Sequence, residues 1–142
     1  MKGISVFYLE DSETQRLALE MSMEEAGFEV ESAGTVVEAK ILLEEKGLSF
    51  DVLLLDMKLE QDPNSNGVTG ASLAMEFLRN KKPAHPPEIL ILSGYKEVNY
   101  FERALELQVA GYLFKGDKKS QEVIQYVRAI ALRRRLNILN LS

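Results

Sequence analysis

Several apolar segments of this chain end on residues that could do chemistry. The segment DVLLLDMK places Asp56 directly after the apolar run Val52 to Leu55, where a carboxylate is costly to remove from water unless it has partners. Four further residues end the other apolar runs in the same way: Glu10, Asp11, Ser93 and Lys115. The set combines acidic groups that could bind a cation with one hydroxyl and one ammonium group.

The pattern around these residues predicts strands that alternate with helices. Short apolar runs cover residues 4–9, 28–30, 52–55, 89–92 and 112–114. Longer segments between them have helical character, beginning after Ser12, after Thr35 with Glu38 in capping-box spacing, and near Gly70, Val98 and Lys118. Strands that alternate with helices pair in parallel, so we predict a doubly wound α/β domain of five β-α units.

Ligands of open parallel sheets gather beyond the carboxyl ends of the strands. If the fold is as predicted, the five residues converge on one pocket, where the like charges of Glu10, Asp11 and Asp56 repel unless a cation is present. Oxygen ligands of this kind suit Mg²⁺. Taken singly, Asp11 could be a helix cap, Ser93 an ordinary loop residue and Lys115 a solvated charge; their shared position at strand ends favours a common site.

The composition bounds the class of protein. A chain of 142 residues, 46% of them hydrophobic, suits one domain with a sizeable core. A net charge of −5 argues against a nucleic-acid-binding domain, and the absence of cysteine excludes thiolate chemistry. The single histidine, His85, is interpreted as a loop residue. We find neither a signal peptide nor a membrane span, and expect a soluble, cytoplasmic protein.

The combined pattern resembles the receiver domain of two-component response regulators. The resemblance covers residues 2 to about 130 and is carried by Glu10-Asp11, Asp56, Ser93, Tyr112 and Lys115. It implies a flavodoxin-like five-stranded parallel sheet in the order 2-1-3-4-5 with five flanking helices. We therefore expect a receiver domain over residues 1–130 and a C-terminal helix extension or linker stub over residues 131–142.

The resemblance also implies a role for each residue. Asp56 would accept a phosphoryl group from a sensor histidine kinase or phosphotransfer protein, and Lys115 would hold the phosphoryl oxygens. The expected Mg²⁺ ligands are Glu10, through water, Asp11, Asp56 and the backbone carbonyl of Lys58. Ser93 and Tyr112 would act as switch residues that alter a surface of the fourth helix, fifth strand and fifth helix. A downstream effector protein or domain would bind that surface.

Some features depart from the family pattern. Gly116 follows Lys115 where proline in a cis peptide is usual, and the segment EQDPNSN lengthens the loop after Asp56. We expect a tolerated surface insertion; a sharper hypothesis is that Glu60 or Asp62 crowds the metal site. The alternative function is a degenerate receiver that binds partners without phosphate. An aspartyl phosphatase would need an acid at position 58, where Lys58 stands.

The chain ends in ALRRRLNILNLS, which exceeds what a receiver needs. Leu132, Leu136 and Leu139 recur at helical spacing and could extend the fifth helix into a dimerising or linker helix. A frayed stub of a longer protein is the favoured interpretation, and a homodimer is a possible assembly. Direct nucleic-acid binding through Arg133 to Arg135 is disfavoured because three cations on an acidic domain bind weakly.

Overall fold

Five parallel strands form one sheet in the order β2-β1-β3-β4-β5, as expected. The computed structural model describes residues 3–141. The strands are β1 Ser5–Leu9, β2 Glu29–Ala33, β3 Val52–Leu55, β4 Glu88–Ser93 and β5 Gly111–Phe114. The helices are α1 Glu13–Glu25, α2 Val36–Lys46, α3 Gly70–Lys81, α4 Val98–Leu107 and α5 Ser120–Leu141. The predicted fold class and strand order are therefore confirmed.

The strands carry apolar side chains to both faces of the sheet. Leu53 and Leu55 belong to a buried cluster that includes residues of α2 and α3, whereas Val52 and Leu54 belong to a second cluster that includes residues of α1 and α5. Successive strand residues point to opposite faces, so a strand covered on both sides needs an uninterrupted apolar run. This explains the sequence VLLL at the centre of the sheet.

The predicted helix starts are formed by side-chain caps. The Ser12 hydroxyl accepts the Gln15 N–H at 3.4 Å, and the Thr35 hydroxyl accepts the Glu38 N–H at 3.2 Å. Thr35 also donates its hydroxyl proton to the Glu38 carboxylate at 3.0 Å. These contacts fix where α1 and α2 begin, and thereby where the preceding strand-end loops stop.

Gly70 allows α3 to approach the end of β3. A Cβ built at this position would lie 2.1 Å from the backbone oxygen of Asp56. We expect Gly70→Ala to destabilise the fold by about 1–3 kcal/mol, because the backbone must shift to relieve the overlap. Urea unfolding checks this. The open position Gly94, where an added Cβ meets nothing within 4 Å, provides the matched control Gly94→Ala; equal losses for the two variants would contradict the steric argument.

The arginine run lies within α5, and two of its members bind an acid at the amino ends of the strands, opposite to the carboxyl edge where the predicted site lies. Arg134 and Arg135 both form ion pairs with Asp51, the residue before β3, at 3.0 and 2.8 Å. Arg134 also donates to the backbone carbonyls of His85 and Pro86. These contacts attach the C-terminal part of α5 to the domain.

Residues 131–141 continue α5, with Leu132, Leu136 and Leu139 exposed. Their interpretation as a linker stub or dimerising helix stays a prediction. The ends of the two predicted regions, at residues 1 and 142, lie outside the described residues. Over residues 3–141, no helix has the length and apolar character to cross a membrane.

Candidate phosphoacceptor and metal site

The three predicted carboxylates meet at the carboxyl edge of the sheet. Glu10 and Asp11 follow β1, and Asp56 follows β3, which pairs directly with β1. Each offers a carboxylate oxygen, and these oxygens lie within 4.8 Å of one another. The parallel register brings the two loops together, since strands that start side by side also end side by side.

Lys115 reaches this group from an edge strand of the sheet. It follows β5, and its Nζ lies 3.0 Å from Oδ2 of Asp56 and also donates to Oε1 of Glu10. Its side chain is 23% exposed, against 1% for Glu10 and 5% for Asp56. Because one ammonium faces two buried carboxylates, the cluster retains negative charge that a cation could neutralise.

Asp56 is the least satisfied acid of the cluster. Its Oδ1 is buried and is the one side-chain oxygen or nitrogen in the described part of the chain that is buried without a hydrogen-bond partner. The pKa of Asp56 is raised to about 8: burial raises it most, the charges of Glu10 and Asp11 also raise it, and Lys115 lowers it. An unpaired oxygen beside two other acids fits the donor set of Mg²⁺.

The raised pKa makes a prediction about the metal-free protein. A carboxyl group whose pKa is higher in the folded than in the unfolded state contributes most to the stability of the fold below its unfolded-state pKa. This contribution is lost as the pH rises through its folded-state pKa. Between about pH 4 and 8 the wild-type protein should therefore lose stability relative to Asp56→Asn, by at least about 1 kcal/mol. Urea unfolding of both proteins across this range, in EDTA, measures the difference; parallel curves would contradict it.

Lys58 lies two residues beyond Asp56 and forms an isolated bridge with Thr69. Its ammonium lies 3.8 Å from the Glu60 carboxylate and 4.7 Å from the centre of the Tyr95 ring. The side chain is therefore turned to the surface, and the role of its carbonyl as a metal ligand stays a prediction. The Lys115–Gly116 peptide is trans, as are all peptide bonds among the described residues.

Ser93 and Tyr112 are linked through the backbone of Tyr95. Ser93, the last residue of β4, is fully buried, and its hydroxyl accepts the Tyr95 N–H at 3.2 Å. The Tyr112 hydroxyl donates to the Tyr95 carbonyl at 2.9 Å, and its ring packs edge-on against Phe101 of α4. The two predicted switch residues thus contact one backbone segment, although their part in switching stays a prediction.

The inserted loop contributes contacts that the sequence did not predict. Tyr95 donates its hydroxyl proton to the Glu60 carboxylate, and the backbone N–H of Gln61 donates to Oδ2 of Asp11 at 2.7 Å. Asp62 is buried and accepts the Val36 N–H at the start of α2 at 2.9 Å. Asp62 is thus held at the start of α2 and Glu60 is held by Tyr95, and the hypothesis that either of them crowds the metal site stays a prediction. The residue types at positions 60 and 95 are compatible with a hydrogen bond, but their separation of 35 residues does not predict one.

The fold has close counterparts among solved structures. The signal receiver domain of a putative Luxo repressor protein from Vibrio parahaemolyticus superposes with a TM-score of 0.80 at 16% identity, covering 99% of each chain. A DNA-binding response regulator of the LuxR family from Staphylococcus aureus gives 0.73 at 25% identity, covering 90% of this chain and 98% of the other. A response regulator from Burkholderia pseudomallei, solved with a phosphorylated aspartic acid and a calcium ion, gives 0.71 at 20% identity over 94% and 72% of the two chains.

A comparison with curated protein sequences found no match. Residues 6–128, by contrast, match the family model of the response regulator receiver domain. This match spans β2 to β5, all of β1 except Ser5, four complete helices and the beginning of α5. The chain therefore belongs to the response regulator receiver domain family of two-component signalling proteins.

Proposed function

We propose that this receiver accepts a phosphoryl group on Asp56 from a phosphohistidine of a sensor histidine kinase or phosphotransfer protein. The observation that carries the proposal is the buried, unpaired Oδ1 of Asp56 beside two further acids and one lysine. In the transfer, a carboxylate oxygen of Asp56 forms a bond to phosphorus as the bond from phosphorus to the histidine nitrogen breaks. The electron pair of that bond stays on the imidazole.

Each neighbouring residue has a task in this step. Lys115, already 3.0 Å from Asp56 Oδ2, would bind the phosphoryl oxygens, which carry most of the charge in phosphoryl transfer. Glu10, Asp11, Asp56 and the Lys58 carbonyl would hold Mg²⁺. When bound, the ion supplies positive charge that lets a phosphoryl group approach three acids and lowers the pKa of Asp56. The phosphorylated aspartic acid and calcium of the Burkholderia pseudomallei relative support this assignment by analogy.

Relay of the signal would begin at Ser93 and Tyr112. A phosphoryl group on Asp56 adds charge and acceptor oxygens beside the Ser93 hydroxyl. If Ser93 turns toward it, the Tyr95 N–H loses its acceptor, and the Tyr95 carbonyl that holds Tyr112 can move. The affected face consists of α4, β5 and α5, and a downstream effector protein or domain, or a second copy of the chain, would bind there.

This chemistry makes the chain a signalling phosphoacceptor that catalyses only its own phosphorylation and dephosphorylation. Lys58 stands where a phosphatase acting on external substrates would carry its general acid, and its ammonium lies near Glu60 and the Tyr95 ring. A cytoplasmic site of action accords with a donor such as a histidine kinase.

Incubation with acetyl phosphate tests the proposed function. We expect the intact mass to increase by one phosphoryl group in the presence of Mg²⁺ and not in EDTA. Beryllofluoride with Mg²⁺ should shift the NMR resonances of Ser93 and Tyr112, a readout that does not depend on turnover. An unchanged mass together with unchanged spectra would favour the alternative, a degenerate receiver that acts through protein contacts alone.

A further inference from the structure

The loop inserted after Asp56 and the loop after β4, which both follow strand ends of the proposed phosphorylation site, contact each other. Glu60 from the first loop accepts the Tyr95 hydroxyl from the second. The Lys58 ammonium lies 4.7 Å from the centre of the Tyr95 ring and 3.8 Å from Glu60, so both side chains of the contact share one cation. A charged acceptor makes this a strong hydrogen bond for an exposed position.

Both ends of this contact continue into the site. On one side, the backbone N–H of Gln61, the neighbour of Glu60, donates to Oδ2 of Asp11 at 2.7 Å. On the other side, the backbone of Tyr95 donates to Ser93 and accepts from Tyr112. A chain of contacts thus runs from a proposed metal ligand, across Glu60 and Tyr95, to the two proposed switch residues.

The inserted loop is anchored firmly enough to hold this arrangement. Oδ2 of Asp62 accepts the Val36 N–H at 2.9 Å, and Oδ1 accepts the Asn64 N–H at 3.0 Å. Asp62 is 5% exposed, so these bonds are shielded from water. Glu60 is therefore presented by a fixed loop, two residues from a buried anchor.

We propose that Glu60 and Tyr95 form a latch across the mouth of the Asp56 site, which must open before a phosphoryl donor or an attacking water can reach the carboxylate. Glu60 acts as a positioning residue, through Tyr95, and not on the reacting atoms. The inference rests on the proposed function of Asp56. It adds that the contact restricts the access of small phosphoryl donors and of water to Asp56, so that phosphorylation and hydrolysis of the product are both slow.

The test uses the full chain and the variants Glu60→Gln, Tyr95→Phe and the double variant. Acetyl phosphate with Mg²⁺ is the donor, and intact mass follows both the gain and the loss of the phosphoryl group. Each single variant should accelerate both rates by up to about tenfold, the effect expected from losing one hydrogen bond to a charged acceptor. The double variant should be no faster than the single variants, because one contact is removed in all three.

Matched controls separate the latch from general effects of charge and hydroxyl loss. Glu45→Gln changes an exposed acid of α2, and Ser22→Ala removes a hydroxyl of α1; both residues lie outside α4, β5 and α5. Both should react at the wild-type rates. Rates of Glu60→Gln and Tyr95→Phe equal to these controls, or accelerations that multiply in the double variant, would overturn the latch.

Amide hydrogen exchange in the unphosphorylated protein provides a readout that needs no phosphoryl transfer. The Gln61 and Tyr95 amides, which bind Asp11 and Ser93, should exchange faster in both single variants than in the controls. Faster exchange in a protein that acetyl phosphate never modifies would retain the latch and reject the proposed function. Unchanged exchange at both amides would reject the latch even if Asp56 is phosphorylated normally.

Discussion

Replacing Asp56 by asparagine is expected to abolish phosphorylation by acetyl phosphate in the presence of Mg²⁺. The asparagine amide keeps the size of the side chain but has neither the negative charge that binds the cation nor the oxygen nucleophile that attacks phosphorus. The loss should exceed about a thousandfold. Among the described residues, Asp56 is the acid of the cluster that pairs with Lys115 and also has a buried oxygen without a hydrogen-bond partner. Intact mass spectrometry over the time in which the wild type is fully modified measures it.

Two further variants show whether the loss comes from the nucleophile itself. Asp11→Asn should slow phosphorylation but leave the modification on Asp56, because it removes a proposed metal ligand and not the acceptor. Asp117→Asn changes an exposed acid paired with Lys96 at 3.5 Å and should react as the wild type does. Full modification of Asp56→Asn at the wild-type rate would show that the phosphoryl group goes elsewhere and end the proposed assignment.

The largest effect on stability is expected at the other end of the sheet, from Asp51→Ala. Asp51 accepts from Arg134 Nη1 at 3.0 Å, from Arg135 Nε and Nη2 at 3.1 and 2.8 Å, and from the Ser5 N–H at 2.9 Å. Its side chain is 7% exposed. Asp51→Ala removes an ion-pair partner of two largely buried arginines and the acceptor of the Ser5 N–H. We expect the free energy of unfolding, measured in urea, to fall by about 3–5 kcal/mol.

An exposed ion pair supplies the control for this loss. Glu44 binds Lys81 at 2.9 Å, but its side chain is 73% exposed, so Glu44→Ala should cost no more than about 1 kcal/mol. Asp51→Asn, which retains one acceptor oxygen, should fall between the two. Equal losses for Asp51→Ala and Glu44→Ala would mean that the arginine contacts contribute little to stability.

The pH dependence of this network follows from the Asp51 pKa. Burial opposes ionisation, but hydrogen bonds from Arg135 and Ser5 and the charges of both arginines outweigh it and lower the pKa below its ordinary value. A lowered carboxyl pKa contributes stability above the unfolded value, which is lost as the pH falls through the folded value. The stability gap between wild type and Asp51→Ala should therefore narrow only in acid, below about pH 4.

Strand positions were predictable because a strand covered on both faces has few sequence solutions. The run VLLL matches β3 residue for residue, and the polar residues that follow the runs mark the carboxyl edge. The short run at Phe28 was less informative: β2 extends from Glu29 to Ala33, because an edge strand with half-exposed polar residues lacks the apolar signal. Helix starts were read from the caps at Ser12 and Thr35, which are local hydrogen bonds.

The roles of the arginine run and of Tyr95 were not predictable in the same way. Arg134 and Asp51 are 83 residues apart in sequence, and Glu60 and Tyr95 are 35 apart. Such pairs depend on how far each loop reaches beyond its strand and on which way each side chain turns. No local pattern contains that information.

The sequence by itself determined a parallel α/β fold with Asp56, Glu10, Asp11 and Lys115 at strand ends, since burial and strand period constrain residue types directly. The receiver family was indicated by resemblance. Only the tertiary structure decided which groups satisfy one another: that Lys115 pairs with both Asp56 and Glu10 while one Asp56 oxygen stays unpaired, that Asp62 anchors a loop to α2, and that Glu60 meets Tyr95. The physical reason is that hydrogen bonds and ion pairs act over a few ångströms, whereas the chain segments that carry them are placed by the packing of the whole sheet.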